Sequence, residues 1–414
     1  VARPEAGLEA GPVSTEPTGR RGAYRVVAGF GVVSLLADMV YETARSATGP
    51  LLASLGASAV LVGVVSGVGE GSALLLRLFT GPLADRTRAY WRLALTGYGM
   101  TVVSVPLLAF APIVGGPVGL VAAAVLLVTE RVGKAVRTPS RDVLIATAGR
   151  QLGAGRAFAV HQLFDQIGAA AGPLLLAGTA ALTGNYTLGF ALLALPGAAA
   201  LALLLAVRRA GRAAIDPELP KVTAAPARRL RLAGLPADFR WYLLFVVLST
   251  LGFTGFGLLS FNAVHRGLAS VALVPVGYAA AMLVDAGSAV LTGLAFDRIG
   301  RRVLFVLPPL AVLVPLLGLS GSFATALAGV LLWGFLLGVQ ESTLRAAVAT
   351  AVPAEVRGAA YGLFGAVVGG ATALGGVLGG ALYSWSVPAL VAVVAVLQAA
   401  ALFALVISGR RAAV

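Results

Sequence analysis

Apolar runs close to 20 residues long recur along the whole chain. They fall at about 25–52, 58–80, 92–112, 117–137, 155–182 and 186–207, then at 240–264, 273–296, 302–319, 323–345, 357–383 and 387–408. A helix needs about 20 apolar residues to cross the ~30 Å hydrocarbon layer of a bilayer, and inside that layer each backbone N–H and C=O must be satisfied within the protein. The expected fold is therefore an all-α integral membrane protein of twelve transmembrane helices. Between the sixth and seventh runs lies a polar stretch, 208–239, that carries Arg208, Arg209, Arg212, Lys221, Arg228, Arg229 and Arg231 among prolines and alanines. It reads as a cytoplasmic linker between bundles at 23–207 and 240–409. Residues 1–22 read as a disordered cytoplasmic tail without the apolar core of a cleaved signal, and 410–414 as a short second tail.

The formal net charge is +14. Nucleic-acid binding would need that charge on one water-facing surface, whereas here the basic residues sit between membrane segments. With the N-terminus in the cytoplasm, all but Arg45, Arg77 and Arg266 of the 31 Lys and Arg fall on the cytoplasmic side, as the positive-inside rule requires. The excess charge thus reports topology: a multi-pass protein of the cell inner membrane with both termini inside, its basic ends attracted to anionic lipid. There is no Cys and there are two His, His161 and His265, so neither a disulfide nor a metal site is expected, and no cofactor. No nucleophile–base pair or phosphate loop points to an enzyme.

The halves repeat. Residues 81–86, GPLADR, follow the second run, and 293–298, GLAFDR, follow the eighth, 212 positions later. Glu130 and Lys134 close the fourth run at i, i+4; Glu341 and Arg345 close the tenth with the same spacing 211 positions later. Such pairs read as architectural, bonded one turn apart. Six-helix bundles related by a parallel pseudo-twofold repeat explain both landmarks.

On these residues the chain resembles the major facilitator superfamily of secondary transporters. The family's loop pattern, GxLADRxGRR, is matched at Gly81, Leu83, Ala84, Asp85 and Arg86, with Arg88 where the second glycine belongs. It is matched again at Gly293, Asp297, Arg298, Gly300, Arg301 and Arg302, with Phe296 in place of the alanine. The resemblance spans about 23–410 and implies two bundles rocking around a central cavity, with a small-molecule substrate. A monomer is expected. In this reading the two motifs, with Arg357, form a cytoplasmic gate. A carboxylate favours the positive N-terminal end of a helix, so Asp85 is expected against the start of the eleventh helix near Arg357 and Gly358. Asp297 is expected against the start of the fifth near Gly155 and Arg156.

An ionisable side chain at mid-bilayer costs about 2.5–3.5 kcal/mol on insertion scales and needs a partner, water or a function. Asp38 and Glu42 are one helical turn apart and Arg45 follows at i+3, so the three form one stripe on the first helix. Counting from Arg25 places Asp38 near the midplane and Arg45 near the outer surface. Two close carboxylates in a low dielectric repel, so the pair is expected to face the cavity and exchange protons. Shifting by 212 puts Thr250, Thr254 and Gly257 opposite the stripe; the repeat folds without those charges, which argues that they serve function.

Glu70, His161 with Asp165, Asp285 and Arg131 complete the set expected at a proton or substrate cavity, with Asp285 answering the first-helix pair from the second bundle. Arg77 is expected to snorkel to the interface, and Arg137 to pair with Asp142. The GAAAGP stretch at 168–173 and the paired glycines at 369–370, 375–376 and 379–380 mark close helix contacts. The sequence is read as a proton-coupled antiporter for efflux of a small amphipathic or organic compound. The alternative is an uptake symporter for a small polar or anionic solute, with Arg77 or Arg131 as counter-charge. A cavity of aromatic and aliphatic groups with carboxylates favours the first, and cations in the cavity favour the second.

Overall fold

The computed structural model describes residues 17–149, 154–216, 219, 236–352 and 356–411. The tail at 1–16, the linker residues Lys221, Arg228, Arg229 and Arg231, and the side chain of Arg156 lie outside the described residues. Within the described residues the regular structure is helical throughout. The first bundle holds α1 (Pro17–Ser54), α2 (Ala59–Leu75) continued by α3 (Arg77–Thr87), α4 (Tyr90–Leu107) continued by α5 (Ala111–Val114), α6 (Gly116–Ala148), α7 (Ala154–Thr183), and α8 (Thr187–Leu192) continued by α9 (Ala194–Ile215). The second holds α10 (Ala237–Leu251) continued by α11 (Phe256–His265), α12 (Leu273–Ile299), α13 (Leu307–Gly318), α14 (Phe323–Ala351), α15 (Arg357–Trp385) and α16 (Val387–Arg411).

Eleven described stretches are long and apolar enough to cross a membrane, and one of them, Leu273–Gly318, is 46 residues long. Straight, it would measure about 69 Å, more than twice the hydrocarbon thickness. It is two passes. Ala281 packs on Gly334, Ser288 on Gly338 and Thr292 on Ser342, so α12 runs parallel to α14, whereas Gly318 at the end of α13 meets Gly329 near the start of α14. The chain reverses at Gly300, with φ 58° and ψ −142°, a conformation essentially confined to glycine. Twelve passes result.

Helix ends differ from the apolar runs. α1 begins at Pro17, inside the expected tail, and continues to Ser54; α6 runs through Pro139 to Ala148, beyond the expected end at 137. The apolar period measures the bilayer, while a helix satisfies its own backbone in the polar layer as well and continues there.

Small residues set the contacts between helices. In the first bundle, Gly168 and Gly172 of α7 lie against the backbone of Leu35 and Met39 on α1, which is the close packing expected of the GAAAGP stretch. Between the bundles, Gly63, Gly67 and Gly71 share one face of α2 and meet Gly380, Gly376 and Gly369 of α15. A Cβ on Gly67 would lie 2.8 Å from the Gly376 Cα, and one on Gly376 would lie 2.5 Å from the Gly67 Cα. Gly49 of α1 meets Gly257 and Phe261 of α11, and the Tyr186 hydroxyl donates to the Val271 carbonyl at 2.6 Å. These contacts close the bundles together at the end opposite the basic loops. Gly376→Leu is expected to wedge this seam, at a cost of about 1–3 kcal/mol. The check exploits a chain without native Cys: a single Ser66→Cys, shielded behind the seam, becomes reactive to an impermeant maleimide applied from that end only when Gly376→Leu is added.

Candidate functional site

A cavity of about 780 Å³ lies between the bundles. Its wall runs from Thr48, Gly63 and Thr254 beneath the closed seam to Arg77, Leu78, Arg345 and Tyr361 at the basic end. Both bundles contribute charge: Arg45, Glu70, Arg77 and Lys134 from the first, Glu341 and Arg345 from the second. Phe256 and Trp333 supply aromatic surface.

The first-helix stripe is split by the structure. Arg45 lines the cavity, but Asp38 and Glu42 are 8% and 7% exposed and lie behind the wall, which corrects their expected place in it. Arg45 is also deeper than expected, because α1 continues to Ser54, roughly 14 Å beyond it at 1.5 Å per residue. From there its Nε reaches Glu70 at 2.9 Å and its Nη1 reaches Glu42 at 3.6 Å. Glu70 is shared with Arg131 at 3.1 Å, and Arg131 reaches Glu130 at 3.3 Å. The result is an alternating chain, Glu42–Arg45–Glu70–Arg131–Glu130, in which Glu70 is held by two guanidinium groups. Arg131 is buried behind Glu70 and does not line the cavity.

Further pairings are corrected for the same reason, that α6 continues as helix and keeps its side chains in the bundle. Arg137 pairs with Asp38 at 3.5 Å and donates to Thr101 at 2.6 Å, while Arg141 pairs with Asp142 at 2.9 Å. Glu130 is fully buried with Arg131 as its ionic partner, and Lys134 instead lies 3.4 Å from the centre of the Tyr41 ring. Glu341 and Arg345, expected to pair, make no ion pair among the described residues, and both face the cavity. Arg77 also lines it, and its buried Nε lacks a hydrogen-bond partner. It does not snorkel away.

Tyr41 was not singled out in the sequence. Its buried ring carries Arg131, Lys134 and Arg137 at 4.5, 3.4 and 5.7 Å, and its hydroxyl accepts from Arg131. A signal was present, since Tyr41 is i+3 from Asp38 and i−4 from Arg45. A second aromatic group, Phe256, Tyr278 and Trp333, joins three helices of the second bundle. It receives the first: Tyr278 donates to Glu42, and Arg45 lies 5.7 Å from the Trp333 ring.

His161 and Asp165 are 3.5 Å apart, with Ser34 at 3.4 Å from the imidazole. Asp285, on α12, is buried with Oδ1 unpartnered among the described residues. None of the three lines the cavity, so Asp285 does not answer the first-helix pair across it.

At the basic end, Asp85, Arg86, Asp297, Arg298 and Arg357 are exposed. Asp85 accepts from the Tyr90 hydroxyl at 3.0 Å and makes no ion pair with Arg357 in this conformation. Arg301 is engaged within its own bundle: it pairs with Asp238 at 2.8 Å, and Asp238 also accepts from Ser408 at 2.6 Å. At this turn the repeat persists in the sign of φ, though not in ψ. Arg88 has φ 52°, the one positive value among the described non-glycine residues, and Gly300, 212 positions on, has φ 58°. Arg88 therefore takes the left-handed turn that the family pattern assigns to glycine.

The comparisons agree with this architecture. An uncharacterized protein of Mycobacterium tuberculosis is 50% identical over 382 residues, covering 92% of each chain. The crystal structure of the nucleoside transporter NupG shares the fold with a TM-score of 0.72 at 12% identity, over 93% of this chain and 99% of that one. That of a POT family transporter in complex with 5-aminolevulinic acid does so with a TM-score of 0.71 at 14% identity, over 93% and 96%. The sequence profile of the Major Facilitator Superfamily matches residues 30–308, across the junction between the bundles; the chain belongs to that superfamily of secondary transporters.

Proposed function

We propose that the protein is a proton-coupled transporter of a small organic anion, working by alternating access in the inner membrane as a monomer with both termini inside. The observation that carries this reading is the set of cavity cations Arg77, Lys134 and Arg345, drawn from both bundles, which have no carboxylate within ion-pair distance among the described residues. Against them the wall offers Glu341, while Glu70 is already bound to Arg45 and Arg131. Charges at membrane depth are costly when unpaired, and an anionic solute supplies the missing partner. Efflux of an amphipathic compound is less well supported, because carboxylates do not dominate the wall.

Direction and coupling follow from the same charge. Moving an anion inward opposes an inside-negative potential by about 2.3 kcal/mol per charge per 100 mV, so uptake requires a co-transported cation. Asp38, Glu130 and Asp285 are buried carboxyl groups at which a proton can substitute for a counter-charge. Uptake symport is the reading they support. The exposed Asp85 and Asp297 suit a latch that forms in the opposite state, when the basic end closes and each carboxylate meets the N-terminal end of α15 or α7.

In proteoliposomes under an acid-outside gradient, organic anions are expected to accumulate, and Arg77→Gln or Arg345→Gln to lower kcat/KM at least tenfold with the protein still folded. Accumulation of organic cations alone would overturn the anion reading. Asp38→Asn is expected to remove the response to the pH gradient while sparing solute counterflow; an unchanged gradient response would exclude Asp38 from coupling. Asp85→Asn is expected to slow turnover about tenfold and to raise labelling of a cavity Cys from the basic end. Unchanged rate and labelling would exclude the latch.

A further inference from the structure

The seventh pass is interrupted. α10 stops at Leu251, residues 252–255 are not helical, and α11 begins at Phe256. Thr250, Phe253, Thr254, Gly255, Phe256 and Gly257 all line the cavity, beneath the seam that closes its far end. Among the described residues, the backbone N–H groups of Thr254, Gly255, Phe256 and Gly257 make no hydrogen bond, whereas those on either side, of Gly252, Phe253, Leu258 and Leu259, do. Four successive unbonded donors thus belong to cavity-lining residues at the positive end of a ten-residue helix.

Side chains point the same way. The Thr254 hydroxyl is unpartnered on a residue only 7% exposed, although Thr43, Thr48, Thr138 and Thr292 each return theirs to a carbonyl one turn back. Ser66 Oγ, contributed by α2 of the other bundle, is buried, lacks a hydrogen-bond partner and abuts Gly257. Arg45 lies across the same aromatic surface: its guanidinium is 5.7 Å from the Trp333 ring, whose centre is 5.3 Å from that of Phe256.

We infer that this interruption is the seat of the solute's oxyanion head, held between the N–H row of Thr254–Gly257 on one bundle and Arg45 on the other. The inference rests on the anion reading above and adds where and by what chemistry the head group binds. Glu70 makes room for it. That carboxylate is 2.9 Å from Arg45 and 3.1 Å from Arg131, so it can release Arg45 to the solute and remain paired. The duplication gives the site its logic, because Thr250, Thr254 and Gly257 stand 212 positions after Asp38, Glu42 and Arg45. One bundle supplies side-chain charge, and its repeat supplies backbone dipoles in the same place. A carboxylate or phosphate oxyanion bridging the two would also tie the bundles together at the closed end.

Gly255 allows a test aimed at one N–H. Its φ of −77° and ψ of 153° suit proline, and a Cβ there meets nothing within 4 Å. Gly255→Pro therefore deletes a donor that Gly255→Ala keeps. The full chain, with Trp91, Trp241 and Trp385 changed to Phe so that Trp333 is the reporter, would be titrated with inorganic phosphate, acetate and succinate. A saturable change in Trp333 fluorescence with at least one of them is expected, with Kd raised at least tenfold by Gly255→Pro and by Thr254→Val but not by Gly255→Ala. Equal affinities in the proline and alanine variants would overturn the site while leaving anion transport standing. No saturable response to any of the three anions would overturn it as well, and the liposome assay then decides the anion reading separately.

Discussion

Glu70 is the residue on which the charged interior depends. A single carboxylate at membrane depth holds Arg45 and Arg131 at 2.9 and 3.1 Å, and each arginine reaches a further acid, Glu42 or Glu130. Breaking a buried pair from one side leaves an uncompensated charge, which costs about 3–5 kcal/mol. The alternation of sign therefore fixes the relative positions of α1, α2 and α6, and with them the wall of the cavity. It also sets apart the paired groups from Arg77, Lys134 and Arg345, which line the cavity with no carboxylate within ion-pair distance among the described residues.

The two bundles solve the same problem differently. The first places ionic side chains around the Tyr41 ring. The second has few charges at this depth and uses glycine contacts, a broken helix and three aromatic rings. The seam joins the two kinds of surface. Tyr278 meets Glu42, Trp333 meets Arg45, and α2 and α15 approach through glycines that admit no Cβ between them. An interface made of small residues and a few polar contacts buries little that would have to be rebuilt if the seam opened, which suits the alternating access proposed above.

Much of the fold was legible because the bilayer imposes a length on every pass. The duplication was legible too, since its landmarks keep their spacing, and the positive φ shared by Arg88 and Gly300 falls at the same register in the backbone. The pairing of charges was not. Helical spacing identifies neighbours on one helix, so Glu130 with Lys134 and Arg137 with Asp142 were the natural expectations. In the structure, Lys134 lies over Tyr41 and Arg137 reaches Asp38, both on α1. The break in the seventh pass was hidden for another reason: Leu251, Gly252, Phe253, Thr254, Gly255 and Phe256 are apolar or small, and a hydropathy run reads the same whether the backbone there is helical or open.

The sequence by itself determined that the chain spans a membrane, how many times, with which ends basic, and that one six-helix unit was used twice. Those properties depend on composition summed over about 20 residues and on spacing along the chain. Only the tertiary structure decided which ionisable groups face the cavity, which are neutralised by residues far along the chain, from Arg45 with Glu70 to Asp38 with Arg137, and where backbone donors are left free. These depend on which faces of different helices meet, and in a low dielectric a few ångströms separate a paired charge from one that needs a ligand.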